Sequence, residues 1–350
     1  MVGGAERLLV NVINNIPLEH RVQVILFKEP APLVDAIVRP EVELVRLNSA
    51  SYFSWAAISK LVRSVRAFRP DVVHTHMNSS NLIIRMLRPL LSGGMILVNQ
   101  YHGLSLWKSK ALTWFDRSSA FLVDRVICCS SASLARRADS ERLPREKLVL
   151  LTNAVDLRPF RSREPVAGSP WVIGTACRLT ENKRVGKLLE WHAALLAAGY
   201  DVHCRIAGDG PEREKLFALA RKLGHADRVR FLGQVGDMAG FYRELDVFLL
   251  SSKLEDLPMV LIEAMASGCA TASHATGGVR DVLDGAPGAA VVDLDSDGWM
   301  VELERLLLRS RSPEVIDGNR AYARQYGMDV YIDRLFDVYR AAGAGDAAQS

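Results

Sequence analysis

The sequence predicts an α/β chain of two successive domains on largely parallel sheets. Three observations carry this expectation. The 350 residues exceed what one hydrophobic core usually organises. Short β-rich runs alternate with helical stretches along the chain, the pattern of βαβ units. The alternation breaks once, over 158–170, where three prolines, a glycine and several charges show no periodicity, and then it restarts. The boundaries that follow are an N-terminal domain at 1–157, a linker at 158–170 and a second domain at 171–322. A C-terminal helix at 323–341 is expected to pack back on the first domain, and the small, polar residues 342–350 to form a disordered tail.

In the first domain the strand candidates are 22–27, 42–47, 71–75, 95–100, 125–129 and 147–151, with periodic helical segments such as 52–69 and 131–140 between them. The run Asp71-Val72-Val73-His74 reads as a buried strand entered from a helix that Pro70 has ended. In the second domain the candidates are 171–176, 202–207, 229–232, 246–250 and 269–273. A nucleotide site at the carboxyl ends of these strands is the default for such a sheet. One element is missing: Gly3-Gly4 reads as the turn after a first strand, yet only two residues precede it. The first strand of a doubly wound sheet is central, so its lack leaves the interior unpaired. The sequence is expected to begin downstream of that strand, and restoring about 8–12 residues to add stability.

Composition excludes several classes. Hydrophobic residues make up 49% and charged residues 24%, ordinary for a soluble globular protein. No stretch approaches 18 consecutive apolar residues, so no spanning helix is expected. The start lacks the charged-then-apolar order of a signal peptide, so secretion is not expected. The five cysteines form no C-x-x-C pair, which points to reduced thiols in a cytoplasmic protein rather than zinc or disulfides. The net charge of +4 is unevenly spread: residues 1–165 carry 23 − 14 = +9, and the remainder 21 − 26 = −5. The two halves are therefore expected to face different partners.

The strongest local signal is residues 251–268, from Ser251-Ser252-Lys253-Leu254-Glu255-Asp256 to Glu263-Ala264-Met265-Ala266-Ser267-Gly268. Pro258 suits the first turn of a helix and Gly268 its stop. Glu255 then lies in a loop at a strand's carboxyl end and Glu263 over one turn into the helix. Ionised carboxylates accept both protons of a vicinal diol, which ribose and hexose present. On spacing alone, two solvated glutamates explain the pattern equally well. Against that, Glu263 sits amid Val260, Leu261, Ile262 and Ala264, where an unpaired charge is costly. After the strand at 171–176, Arg178 and Lys183 are placed to clamp a diphosphate and stabilise a departing phosphate, although two surface cations are the plainer reading in isolation. Gly208-Asp209-Gly210-Pro211 follows another strand and is weak by itself.

Together, Arg178 and Lys183, Gly208-Asp209-Gly210-Pro211, Phe231-Leu232-Gly233, Glu255 and Glu263-Ala264-Met265-Ala266-Ser267-Gly268, and Thr276-Gly277-Gly278 resemble the retaining glycosyltransferases of family 4. In the first half Gly3-Gly4-Ala5-Glu6-Arg7, Asp71-Val72-Val73-His74-Thr75-His76 and Asn153-Ala154-Val155-Asp156 resemble the same family. The resemblance implies a GT-B fold, two Rossmann-like domains facing each other across a cleft. It implies transfer of a hexose or N-acetylhexosamine from a UDP-, GDP- or ADP-sugar to a glycan or lipid-linked acceptor in cell-surface polysaccharide synthesis, with no cofactor and no metal. Glu263 is then implied to hold the donor ribose and Glu255 the sugar hydroxyls. Arg178 and Lys183 would bind the pyrophosphate and the backbone around Val235 the base. Gly3 and Gly4 would approach the donor phosphates or the acceptor. His102, in Gln100-Tyr101-His102-Gly103, matches the family's histidine at the sugar. The anomeric configuration would be kept by same-face attack, the leaving phosphate helping to deprotonate the acceptor, with no enzymic nucleophile.

The chain departs from the family at Asp256, where glycine is usual after the first glutamate; a φ above zero there would strain it. A non-catalytic sugar-nucleotide-binding protein of the same fold is the alternative. A dinucleotide oxidoreductase would want Gly-x-Gly-x-x-Gly on its first strand, which is absent. Asp293-Leu294-Asp295-Ser296-Asp297 has metal-ligand spacing, but far from the donor motifs. His74 and His76 are expected on opposite strand faces and so not to act as a ligand pair, with His76 toward the acceptor. A basic stripe on 52–69 (Lys60, Arg63, Arg66, Arg69) and the segment Trp107, Lys108, Lys110, Trp114, Phe115 and Arg117 suit an anionic membrane surface. A sheet-covering role for the first of these remains the plainer one. Nucleic acid is not an expected partner, and attachment would be peripheral, on the inner face of the membrane.

Overall fold

In a computed structural model the described residues are 4–27, 31–49, 51, 54–91, 93–103, 108–164, 168–296 and 298–347. The chain divides into two compact units, one joining Met1–Ala154 to Met328–Ser350, the other Val155–Gly327. Among the described residues no helix is long and apolar enough to cross a membrane.

Unit 1 begins with α1 (Gly4–Asn15), β1 (Val22–Leu26), β2 (Val42–Arg46), α2 (Trp55–Phe68), β3 (Val72–His76) and α3 (Asn78–Leu87). It continues with β4 (Ile96–Tyr101), α4 (Lys110–Ser118), β5 (Arg125–Cys128), α5 (Ser131–Ala135) and β6 (Leu148–Leu150). α2 buries Ala57, Leu61 and Val65, spaced four apart on one face. It stops at Arg69, held at φ 51° with its N–H donating to the Val65 carbonyl, because Pro70 cannot continue a helix. The pairings are all parallel, but the described strands form two separate sheets, β1-β2 and β3-β4-β5-β6. Among the described residues no ladder joins β1 to β3, and α2 packs on residues from both sheets, including Ile25, Val45 and Val73.

Unit 2 comprises β7 (Trp171–Ala176), α6 (Gly186–Ala197), β8 (Val202–Ala207), α7 (Arg213–Lys222), β9 (Val229–Gly233) and α8 (Met238–Arg243). β10 (Val247–Leu250), α9 (Met259–Ala266), β11 (Ala270–His274), α10 (Val279–Leu283), β12 (Ala289–Val292), α11 (Trp299–Arg309) and α12 (Pro313–Ala323) complete it. The six strands lie in the order β12-β11-β10-β7-β8-β9. From β7 the chain winds outward through β8 and β9, then restarts beside β7 with β10 and winds the other way. The order reverses between β7 and β10, and in open parallel sheets such a reversal opens a crevice at the strands' carboxyl ends. β12 escaped the sequence reading because the run Ala-Ala-Val-Val is short and half alanine, which strands disfavour.

The residues of the proline-rich break are tied to unit 2: Arg163 donates its N–H to the Ser267 carbonyl, and its guanidinium pairs with buried Asp246, which Arg311 also holds at 2.9 Å. The chain ends in α13 (Met328–Ala347), which returns to unit 1. Its Met328, Tyr331, Ile332, Leu335 and Val338 share a core with Leu8, Val12, Val98 and Ile127. A correction concerns the tail: 342–347 are helical, with Ala342 buried and Gly343 pressed toward Ile96, where alanine and glycine fit close packing that a larger residue would disturb.

Candidate functional site

The site of unit 2 is built from four loops at the β7/β10 switch. The loop leaving β7 carries Arg178, exposed, and then one 3-10 turn, Glu181–Lys183, closed by Arg184 at φ 49°. The loop leaving β8 lies against it backbone to backbone. Leu179 N–H donates to the Asp209 carbonyl at 3.0 Å and Glu212 N–H to the Leu179 carbonyl at 3.0 Å. A Cβ at Gly208 would stand 1.8 Å from the Cys177 carbonyl oxygen, and one at Gly210 2.3 Å from that of Leu179. The Gly-x-Gly therefore exists for close approach.

The loop leaving β10 joins the same assembly. Lys253 N–H donates to the Asn182 carbonyl at 2.8 Å, and the Ser251 hydroxyl bonds the carbonyls of Lys183 (2.7 Å) and Arg184 (3.0 Å). So tied, Lys183 Nζ lies 2.5 Å from Glu255 Oε1, both side chains being mostly shielded from solvent. The fourth loop, after β11, closes beneath: Gly277, at φ 52°, leaves only 1.7 Å between a notional Cβ and the Glu255 carbonyl oxygen, and Gly278 N–H donates to the Asp256 carbonyl at 2.8 Å. Asp256 is not at positive φ, so the strain a glycine would relieve is absent and the departure costs the backbone nothing.

Glu263 lies half-buried on α9, the helix that the loop of Glu255 enters. Its apolar neighbours raised the question of a partner, and the partner is Tyr242 of α8, whose hydroxyl donates to Glu263 Oε2 at 2.7 Å. Pro258 stands one position before the helix rather than in its first turn, and Gly268, at φ 83°, follows its end. Val235 sits half-buried in the loop after β9. Arg178, Lys183 and Glu255 thus belong to adjoining loops, with Glu263 on the helix that the last of these loops enters. Tyr242 was not found by sequence reasoning, and Ser251 was read only as the start of the 251–268 motif, since a hydroxyl's tertiary partner leaves no mark on local spacing.

In unit 1, His102 follows β4, and Gly4 stands exposed at the start of α1; Gly3 lies outside the described residues. His102 Nε2 is 2.9 Å from His76 Nδ1 with the rings stacked, and His74 Nδ1 is 2.8 Å from the Tyr339 hydroxyl. The expectation that His74 and His76 point apart is corrected: residues two apart share a strand face, and their ring centroids are 4.2 Å apart. Burial, the largest cause, lowers all three histidines, His102 to about 4 and His74 to about 3, so the rings are neutral near pH 7. His102 Nδ1 is buried with no hydrogen-bond partner among the described residues.

Among the described residues one group has metal-ligand spacing, His274, Asp293 and Asp295, which adds His274 to the carboxylates seen in the sequence. Asp295 is already engaged by the Arg184 guanidinium, and His274 Nδ1 accepts the Leu294 N–H at 3.2 Å. The arrangement is an exposed cluster in which Asp295 pairs with Arg184. Asp297 lies outside the described residues.

Comparison with known proteins gives the context. A profile described as glycosyl transferases group 1 matches residues 158–321, and one described as glycosyltransferase family 4 matches residues 2–158. A lipopolysaccharide core biosynthesis glycosyltransferase, LpsE of Rhizobium meliloti, is 26% identical over 95% of this chain and 96% of its own. A D-inositol 3-phosphate glycosyltransferase of Geodermatophilus obscurus is 30% identical over 80% of this chain and 68% of its own. The match to the putative glycosyltransferase EpsF of Bacillus subtilis, 29% identical, takes in 57% of this chain and 56% of that protein. Among solved structures, Anabaena HepE in complex with UDP superposes with a TM-score of 0.81 at 18% identity, over 97% of this chain and 96% of that one. At that identity the likeness shows a shared fold of two parallel α/β domains.

Proposed function

The chain belongs to the glycosyltransferases of group 1 and family 4, with the GT-B fold, and from that premise we propose that it is a retaining transferase. In this reading a hexose or N-acetylhexosamine passes from a nucleoside-diphosphate sugar to a glycan or lipid-linked acceptor of cell-surface polysaccharide synthesis. The observation that carries the reading is the switch between β7 and β10, where a cation pair and a held carboxylate leave adjacent strands. Arg178 and Lys183 receive the diphosphate and offset the negative charge that grows on it as the glycosidic bond breaks. Glu255 accepts from sugar hydroxyls next to that diphosphate, and Glu263, oriented by Tyr242, accepts from the ribose diol. The Val235 loop is assigned to the base, and Gly4, with Gly3 outside the described residues, to the donor phosphates or the acceptor. His102, neutral and with a free buried Nδ1, serves as a hydrogen-bonding group to the sugar rather than a charged acid.

UDP is the first nucleotide to test, because HepE was crystallised with it and also with UDP-glucose. The proposed chemistry needs no metal and no enzymic nucleophile. A panel of UDP-, GDP- and ADP-sugars, followed by released nucleotide with and without chelator, tests it. Turnover on one base class, unaffected by chelator, with an α-configured product from an α-donor, is the expected result. Inertness across the whole panel with glycan and lipid-linked acceptors present would reject it in favour of a binding protein.

A further inference from the structure

The face of unit 1 over α4 carries groups that sugar transfer leaves unused. Lys110, Trp114 and Arg117 are spaced four and three residues apart, so they share one side of the helix. Phe121 follows in the next turn, and Trp114 and Phe121 are 70% and 74% exposed. Beside them lies a hollow of about 440 Å³ rimmed by Lys110, Thr113, Trp114, Arg117, Ser140 and Arg142.

Its floor explains its charge. Lys108 and Glu141 line it from below, and Lys108 Nζ is bonded to Glu141 Oε2 at 2.6 Å and paired with Asp116. Arg137 also pairs with Glu141, and Arg85 lies 2.9 Å from Asp116. Three buried cations thus share two buried carboxylates, and no acidic group is left over for the rim. Lys110, Arg117 and Arg142 form no ion pair among the described residues. The sequence grouping of this segment is corrected here, since Lys108 is buried and Phe115 half-buried, while Trp107 lies outside the described residues. On α2 the competing stripe is partly spent: Lys60 donates to the Arg46 carbonyl and Arg66 to that of Leu90, both at 2.7 Å.

A soluble phosphate would satisfy the cations but leave both rings in water. A bilayer of anionic lipid meets both at once, since rings settle at the headgroup level and cations against lipid phosphates. We propose that this face docks on an anionic phospholipid surface, a lipid phosphate seated among Lys110, Arg117 and Arg142 with Trp114 and Phe121 entering the interface. The inference stands apart from the transfer reading, because it concerns attachment and is read without turnover.

The test is flotation of the full chain with phosphatidylcholine vesicles, with and without phosphatidylglycerol, each also in high salt and with excess inorganic phosphate. Each cation at an anionic surface contributes roughly fivefold in partitioning. The wild type should therefore float with the anionic vesicles only, and K110E/R117E should lose at least about tenfold. Trp114→Ala should weaken binding while keeping its salt dependence, which separates the ring from the charges. Circular dichroism of each variant checks that it is folded. Equal recovery with neutral vesicles, undiminished flotation of folded K110E/R117E, or full release by inorganic phosphate at constant ionic strength would each overturn the proposal, the last by identifying a soluble anion as the ligand.

Discussion

At Glu255 a single side chain neutralises Lys183 and, in the proposed reading, also offers its remaining oxygen lone pairs to sugar hydroxyls. Glu255→Gln keeps the shape and removes the charge. A hydrogen bond to a charged group contributes about 1.5–3 kcal/mol, so donor kcat/KM should fall by roughly ten- to hundredfold in steady-state assays. Unchanged kcat/KM would remove Glu255 from the site. The buried histidines make a second prediction. His74, His102 and His192, the last buried on α6 beside His225, have folded values lowered by burial to about 3, about 4 and about 4, and burial also lowers His76 well below its ordinary value. A lowered folded value means that the unfolded chain binds protons first. The stability these rings contribute is therefore complete above about pH 6.5 and is lost as pH falls toward 4. Urea midpoints should be flat from pH 8 to 7 and fall clearly from 7 to 5; equal midpoints at pH 7 and 5 would contradict the burial of these rings. The misplacement of His74 and His76 in the sequence reading came from the period itself, since residues two apart lie on the same strand face.

Among the elements, the loops leaving β7, β8 and β11 depend on glycines for different reasons than their φ values alone suggest. Gly208 and Gly199 both have positive φ, but only Gly208 faces a carbonyl at a distance no Cβ tolerates. Gly199→Ala should cost about 1–2 kcal/mol, the usual left-handed penalty. Gly208→Ala should cost more than about 4 kcal/mol or abolish the fold of unit 2, as chemical denaturation would report. Comparable losses in both would mean that the loops do not touch as described. Most of this framework was legible beforehand. Eleven strand candidates were placed to within a residue or two because valine-, isoleucine- and leucine-rich runs end at turn signals, and the alternation with helices dictated parallel sheets. β12 was not legible, because its alanines pack without advertising a strand. Nor was the Tyr242–Glu263 bond, which joins neighbouring helices α8 and α9 through a contact set by tertiary packing.

At the scale of the whole molecule the two units are unlike in their wiring. Unit 2 is one continuous stretch, whereas unit 1 needs both the first 154 residues and those from Met328 onward. Leu335, fully buried among Leu8, Val12 and Val98, is the test of that dependence. Leu335→Ala should destabilise unit 1 by about 2–5 kcal/mol. Hydrogen exchange should show faster opening in β4 and β5 and no change in β7 or β10; uniform slowing or no change would show that α13 is not part of that core.

This wiring has a consequence for synthesis on the ribosome. The part of unit 1 that precedes unit 2 in the chain finishes folding after it, because the apolar residues of α1, β4 and β5 wait for α13, which leaves the exit tunnel only after all of unit 2 has emerged. While unit 2 is being made, the nascent chain therefore carries uncovered apolar residues of unit 1. The interval before α13 arrives is when binding by a chaperone, or capture by another nascent copy, has the most to act on.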